Sequence, residues 1–120
     1  MTIGKVQEIL DARLLAGEDG LDKEVLSACG SDMMSDVLAF VKDQAVLLTG
    51  LCNAQVIRTA QMMDILCVVF VRGKNPTDEI IQMAKESGIV VLGTDHRMFS
   101  ACGMLWAGGL NGGAGYDKFH

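Results

Sequence analysis

Three short apolar runs restrict what this chain can fold into more than any other feature. They are Val46-Leu47-Leu48-Thr49-Gly50, Cys67-Val68-Val69-Phe70-Val71-Arg72-Gly73 and Val90-Val91-Leu92-Gly93-Thr94-Asp95. Each closes on small or polar residues and is followed by a stretch with helical spacing. No polar residue alternates with the apolar ones, so such strands need cover on both faces, as parallel strands under helices have. The expected fold is α/β: a three-layer αβα arrangement with a mostly parallel sheet of about five strands.

The remaining elements carry weaker signals. Ile3, Val6 and Leu10, with Ile9 beside them, put an apolar stripe on a short first helix. Arg13-Leu14-Leu15-Ala16-Gly17 suggests a strand, Glu18-Asp19-Gly20 a turn, and Val25 to Cys29 a second strand. Either of these two strands is free to run antiparallel. Ser31 or Asp32 is suited to cap the next helix, with Met33, Met34, Val37, Leu38 and Val41 expected on its buried face and Asp43-Gln44 as the turn after it. Asn53 suits the cap of a helix carrying Val56, Ile57, Ala60 and Met63. Thr77 opens another, with Ile80, Ile81 and Ala84 inward and Gly88 at its end. Thr94 or Asp95 is the expected cap of the last helix, with Phe99, Cys102, Gly103 and Trp106 on adjoining faces. The sequence predicts an α/β domain over 1–107 and a flexible Gly-rich tail over 108–120, since five glycines between Gly108 and Gly115 do not hold a helix.

Composition narrows the function classes. Half of the 120 residues are hydrophobic, yet only six are aromatic, so the core is aliphatic and Met-rich. The apolar excess suits a homodimer with a shielded self-complementary patch. Fifteen acidic against ten basic residues give a net charge of −5, the wrong balance for meeting phosphate backbones. The longest unbroken apolar stretch, Ile65 to Val71, is far below the roughly 20 residues of a membrane span. The charged residues near the N-terminus leave no signal-peptide core. The four cysteines, at 29, 52, 67 and 102, form no CxxC pair and sit in apolar settings, as thiols of a reducing cytoplasm do.

Ligands of such sheets bind beyond the carboxyl ends of the strands. The residues expected there are Ser31 and Asp32, then Thr49, Gly50 and Asn53, then Arg72 and Gly73, then Thr94 and Asp95. Backbone amides at helix starts favour an anion, and Arg72 adds a bidentate group suited to phosphate. A cap or a turn accounts equally well for each residue taken singly. Asp95-His96 looks like half of a catalytic pair, but neighbours at a helix start diverge, and no motif places a nucleophile beside them. The scattered cysteines and two histidines, one of them terminal, suggest no metal site and no cofactor.

The order Gly30-Ser31-Asp32-Met33-Met34-Ser35-Asp36-Val37-Leu38, Leu48-Thr49-Gly50, Val69-Phe70-Val71-Arg72-Gly73 with Pro76, and Thr94-Asp95 with Phe99 resembles the DRTGG domain from about residue 2 to 107. It is most similar to stand-alone members found with iron-only hydrogenase subunits in anaerobic bacteria. The resemblance implies a fold similar to the N-terminal domain of HPr kinase and a non-catalytic regulatory role. In larger relatives the domain accompanies CBS modules, which take adenine nucleotides, and pyrophosphatase or phosphotransacetylase domains; there it can dimerise. Where relatives carry a Gly-Asp-Arg-like turn, this chain has Gly50-Leu51-Cys52-Asn53, and in place of Thr-Gly-Gly it has Val71-Arg72-Gly73. Both glycines persist and the Asp-Arg pair does not, so the resemblance implies the fold but not a role for that pair's charge.

Together these features suggest a cytoplasmic, homodimeric regulatory domain sensing a small anion such as an adenine nucleotide. The alternative is a protein-interaction subunit of a hydrogenase or other redox complex, without a small-molecule ligand.

Overall fold

A computed structural model describes residues 1–40 and 44–113. In chain order the elements are α1 (Ile3–Leu10), β1 (Arg13–Ala16), a 3-10 turn (Glu18–Gly20), β2 (Ser27–Gly30), α2 (Met34–Phe40), β3 (Ala45–Thr49), α3 (Ala54–Met62), β4 (Cys67–Phe70), α4 (Asp78–Ser87), β5 (Val90–Gly93) and α5 (Met98–Ala107). The strands form one sheet in the order β1-β5-β4-β3-β2. Four run parallel, and β1 alone is antiparallel, paired with β5 through a bulge between Leu14 and Ala16.

Every residue of β3, β4 and β5 is buried. Alternation sends Leu47, Val68, Phe70 and Val91 to one face, where they meet Val56 and Ile57 of α3, Ile80 and Ala84 of α4 and Val37 of α2. Val46, Leu48, Val69 and Leu92 go to the other, against Ile3, Val6 and Leu10 of α1 and Ala101 and Leu105 of α5. Burying a large aliphatic side chain contributes about 1.5–3 kcal/mol, so both helical layers are held by the same three strands.

Local signals set the helix ends. Thr2 accepts from the Lys5 amide, Asn53 from Val56 and Thr77 from Ile80, each through its side-chain oxygen. Gly88 closes α4 with φ +70, a left-handed geometry that glycine adopts without a Cβ clash.

Several sequence expectations are corrected. The residue before α5 is Arg97, which makes no side-chain cap, rather than Thr94 or Asp95. The inward residues of α5 are Ala101 and Leu105, while Phe99 is 83% and Trp106 41% exposed. On α2, Met34 and Val37 face inward, but Met33 and Leu38 are exposed. The helix starts after Met33, which turns those two side chains off the core. Val41 and Asp43 of the expected helix end and turn lie outside the described residues, as does the Gly-rich segment beyond Gly113.

Up to Gly113 that segment is tied down. Leu110 is 4% exposed in the core, its amide donates to Leu105, and the Asn111 carbonyl accepts from Ala28 at 2.8 Å, along the outer edge of β2. Replacing Leu110 with Ala is expected to lower unfolding stability by about 2–3 kcal/mol, read by urea denaturation, because it opens a cavity under α5. A loose tail would show no change.

Candidate functional site

Parallel register brings the carboxyl ends of β2 to β5 to one edge of the sheet. Gly30 lies opposite Leu48, Thr49 opposite Phe70, and Phe70 opposite Gly93. The ladder continues past the strands: Ser31 donates to Leu48, Val71 to Thr49 and Thr94 to Phe70. The loops after β4 and β5 are then stitched together, the Arg72 amide donating to His96 at 2.8 Å and the Gly73 amide to Thr94 at 2.9 Å. Gly50, Gly73 and Thr94 thus share one rim.

Four of the expected site residues converge there. The Asp32 carboxylate accepts from the Gly50 amide at 2.7 Å and from the Thr49 hydroxyl at 3.1 Å, both on Oδ1. Its Oδ2 is 3.8 Å from the Arg72 guanidinium, with both side chains about half exposed. The guanidinium lies over Gly50, where any Cβ would overlap it. Arg72 itself holds φ +62, a left-handed conformation that costs an L-residue roughly 1–2 kcal/mol.

A second group forms one strand further along. Asp95 pairs with Arg13 at 2.9 Å, and a Cβ on Gly73 would sit 3.3 Å from the same Asp95 oxygen. Arg13 was not among the residues expected at the site. The antiparallel course of β1 carries its first residue to the rim where its parallel neighbours end.

The other expected residues turn to structural tasks. Thr94 is fully buried, and its hydroxyl donates to the Leu10 carbonyl at 2.8 Å, joining β5 to α1 rather than facing the rim. Ser31 accepts from the Met33 amide in a tight turn, and Asn53 caps α3. Among the described residues Asp32 makes no cap bond to α2; its carboxylate is taken by Gly50 and Thr49. The Asp95 carboxylate is held by Arg13, so Asp95 and His96 form no catalytic pair among the described residues.

None of the expected residues lines the cavity of about 600 Å³ at the opposite end of β5, between Ala16, Gly20, Lys23, Lys85 and Ile89. Among the described residues no cluster of His, Cys, Asp or Glu could hold a metal ion, and no helix is long and apolar enough to cross a membrane. Burial raises the thiol pKa of Cys29, Cys52, Cys67 and Cys102 alike; for Cys52 the nearby Lys74 partly opposes it.

The fold and rim define a small α/β domain with a polar strand-tip edge and no assembled acid–base or nucleophile set among the described residues. Residues 5–107 match the sequence profile of the DRTGG domain, and the chain belongs to that family. A comparison with curated proteins returns no match. A solved structure similar to this chain holds the CBS and DRTGG domains of the regulatory region of Clostridium perfringens pyrophosphatase, complexed with the activator diadenosine tetraphosphate. The two share 19% identity with a TM-score of 0.69, over 87% of this chain. This chain spans 45% of that one, a little under half of its length.

A raised thiol pKa leaves less thiolate at any pH below it, so reactivity is suppressed at neutral pH and recovers only above the ordinary cysteine range. Iodoacetamide at neutral pH is expected to label all four cysteines more slowly than a free thiol, and Cys67 only after denaturation. Fast labelling of Cys52, read by mass spectrometry, would point to an activated nucleophile instead.

Proposed function

We propose that this chain is a non-catalytic regulatory domain of the cytoplasm that senses a phosphate-bearing small molecule, an adenine nucleotide in the first instance, at the rim of Thr49, Gly50 and Arg72. The observation that carries this reading is the convergence there of a backbone amide, a hydroxyl and a guanidinium. This donor set suits phosphate oxygens. The regulatory region with which the fold is shared was solved with a dinucleotide activator, which supports the ligand class. The match to the DRTGG domain and the regulatory region that shares the fold support the non-enzymatic role, and the four free cysteines suit a reducing compartment.

Calorimetric titration with ADP, inorganic phosphate and adenosine tests the reading. ADP and phosphate are expected to bind and adenosine not. Arg72→Gly should weaken ADP binding at least about tenfold. Its stability should stay within about 1 kcal/mol, because glycine accepts the left-handed backbone that Arg72 strains to hold. No binding of ADP or phosphate at millimolar concentration would remove the sensing role.

The regulatory reading includes a homodimer, and the second reading is a docking subunit of a redox complex such as a hydrogenase; α5 favours burial against another chain in either case. Met98–Ala107 contains no charged residue, yet Phe99 and Trp106, two turns apart on its outer side, are exposed. A helix apolar all round is ordinarily covered on all sides. Sedimentation is expected to give twice the chain mass for the native protein and the single-chain mass for Phe99→Asp. A native monomer that captures no partner would leave α5 without a role in assembly.

A further inference from the structure

We propose that Asp32 is a resident surrogate ligand of the rim, and that the site therefore selects phosphoryl groups over carboxylates. This rests on the reading of the strand tips as an anion site and adds what governs access to it. The three donors that would hold an anion all point at one carboxylate: Gly50 N–H at 2.7 Å, Thr49 Oγ1 at 3.1 Å and the Arg72 guanidinium at 3.8 Å. Asp32 comes from the β2–α2 connection, not from the segments that carry the donors. Among the described residues it makes no cap on its own helix, and it reaches 17 and 18 residues along the chain to Thr49 and Gly50. Its side chain is 52% exposed and Met33 beside it is 61% exposed, so the carboxylate can swing into solvent without opening the core.

Charge decides which ligands can displace it. With Asp32 in place, Arg72 is neutralised, as Arg13 is by Asp95. A monocarboxylate that entered would replace one carboxylate with its equal and gain nothing. A phosphoryl group carries about −1.5 to −2 charges and three strong acceptor oxygens near neutral pH, so it satisfies amide, hydroxyl and guanidinium together and retains surplus charge for Arg72. The chemical class is a phosphate monoester or a terminal phosphoryl group. Gly50 is part of the device: without a Cβ it lets the guanidinium lie over the backbone beside the amide that the anion would use.

The test is calorimetry with inorganic phosphate and with acetate on the native chain, Asp32→Asn and Asp32→Ala. Asp32→Asn keeps an acceptor oxygen for Gly50 but removes the charge; it is expected to bind phosphate about tenfold more tightly than the native chain. Acetate should bind measurably only to the variants, and adding Arg72→Gly to Asp32→Asn should cancel the gain. Should Asp32→Ala lose its circular dichroism signal, the Asn variant carries the comparison alone. Native binding of phosphate with equal or weaker binding by Asp32→Asn would overturn the surrogate role while leaving the anion site standing. Tight phosphate binding by the variants alone would support the surrogate and remove sensing by the native chain. No binding by any of the three proteins would overturn both.

Discussion

The structure depends on the double-sided burial of β3, β4 and β5. All thirteen of their strand positions are buried, and each pleat sends its side chains alternately into two separate helical layers. Polar chemistry is thereby excluded from the strand bodies. It collects where the strands stop, and parallel register makes three of those stops coincide. The site is polar because the sheet cannot be.

At that edge the protein meets its own need for satisfied backbone donors with its own carboxylate. The Gly50 amide has no further strand to pair with, and Asp32 supplies the acceptor. An exposed ion pair such as Arg72 with Asp32 contributes only about 0–1 kcal/mol, so the arrangement is cheap to dismantle. The left-handed backbone at Arg72 sets a further cost against stability, one that the loop stitching to His96 and Thr94 holds in place. A rim that is satisfied but weakly held suits exchange of an internal anion for an external one.

The strand bodies and the common edge were legible in the sequence because an unbroken apolar run ending in Gly, Thr or Arg has few other solutions. Thr77, Asn53 and Gly88 were legible as helix ends for the same local reason. What escaped depended on contacts between distant segments. Nothing local distinguishes an Asp32 that caps its own helix from one that reaches Gly50. Arg13 meets Asp95 across 82 residues, which follows only once β1 is known to run antiparallel. The inward face of α5 was hidden by composition: with Phe99, Ala101, Cys102, Met104, Leu105 and Trp106 all apolar, periodicity has no contrast to work with. Thr94 was misassigned because a hydroxyl at a strand end serves a neighbouring helix's carbonyl as readily as its own helix's amide.

One feature at the far side of the sheet governs the company this domain keeps. By covering the outward amide of Ala28, the carbonyl of Asn111 closes one donor on the edge of β2, where an open parallel strand would otherwise recruit another chain. The cover over that edge comes from the same stretch that seats Leu110 in the core. Proteolytic clipping just ahead of it would strip the edge of its cover and the core of Leu110 together, leaving a weakened fold prone to edge-to-edge accretion.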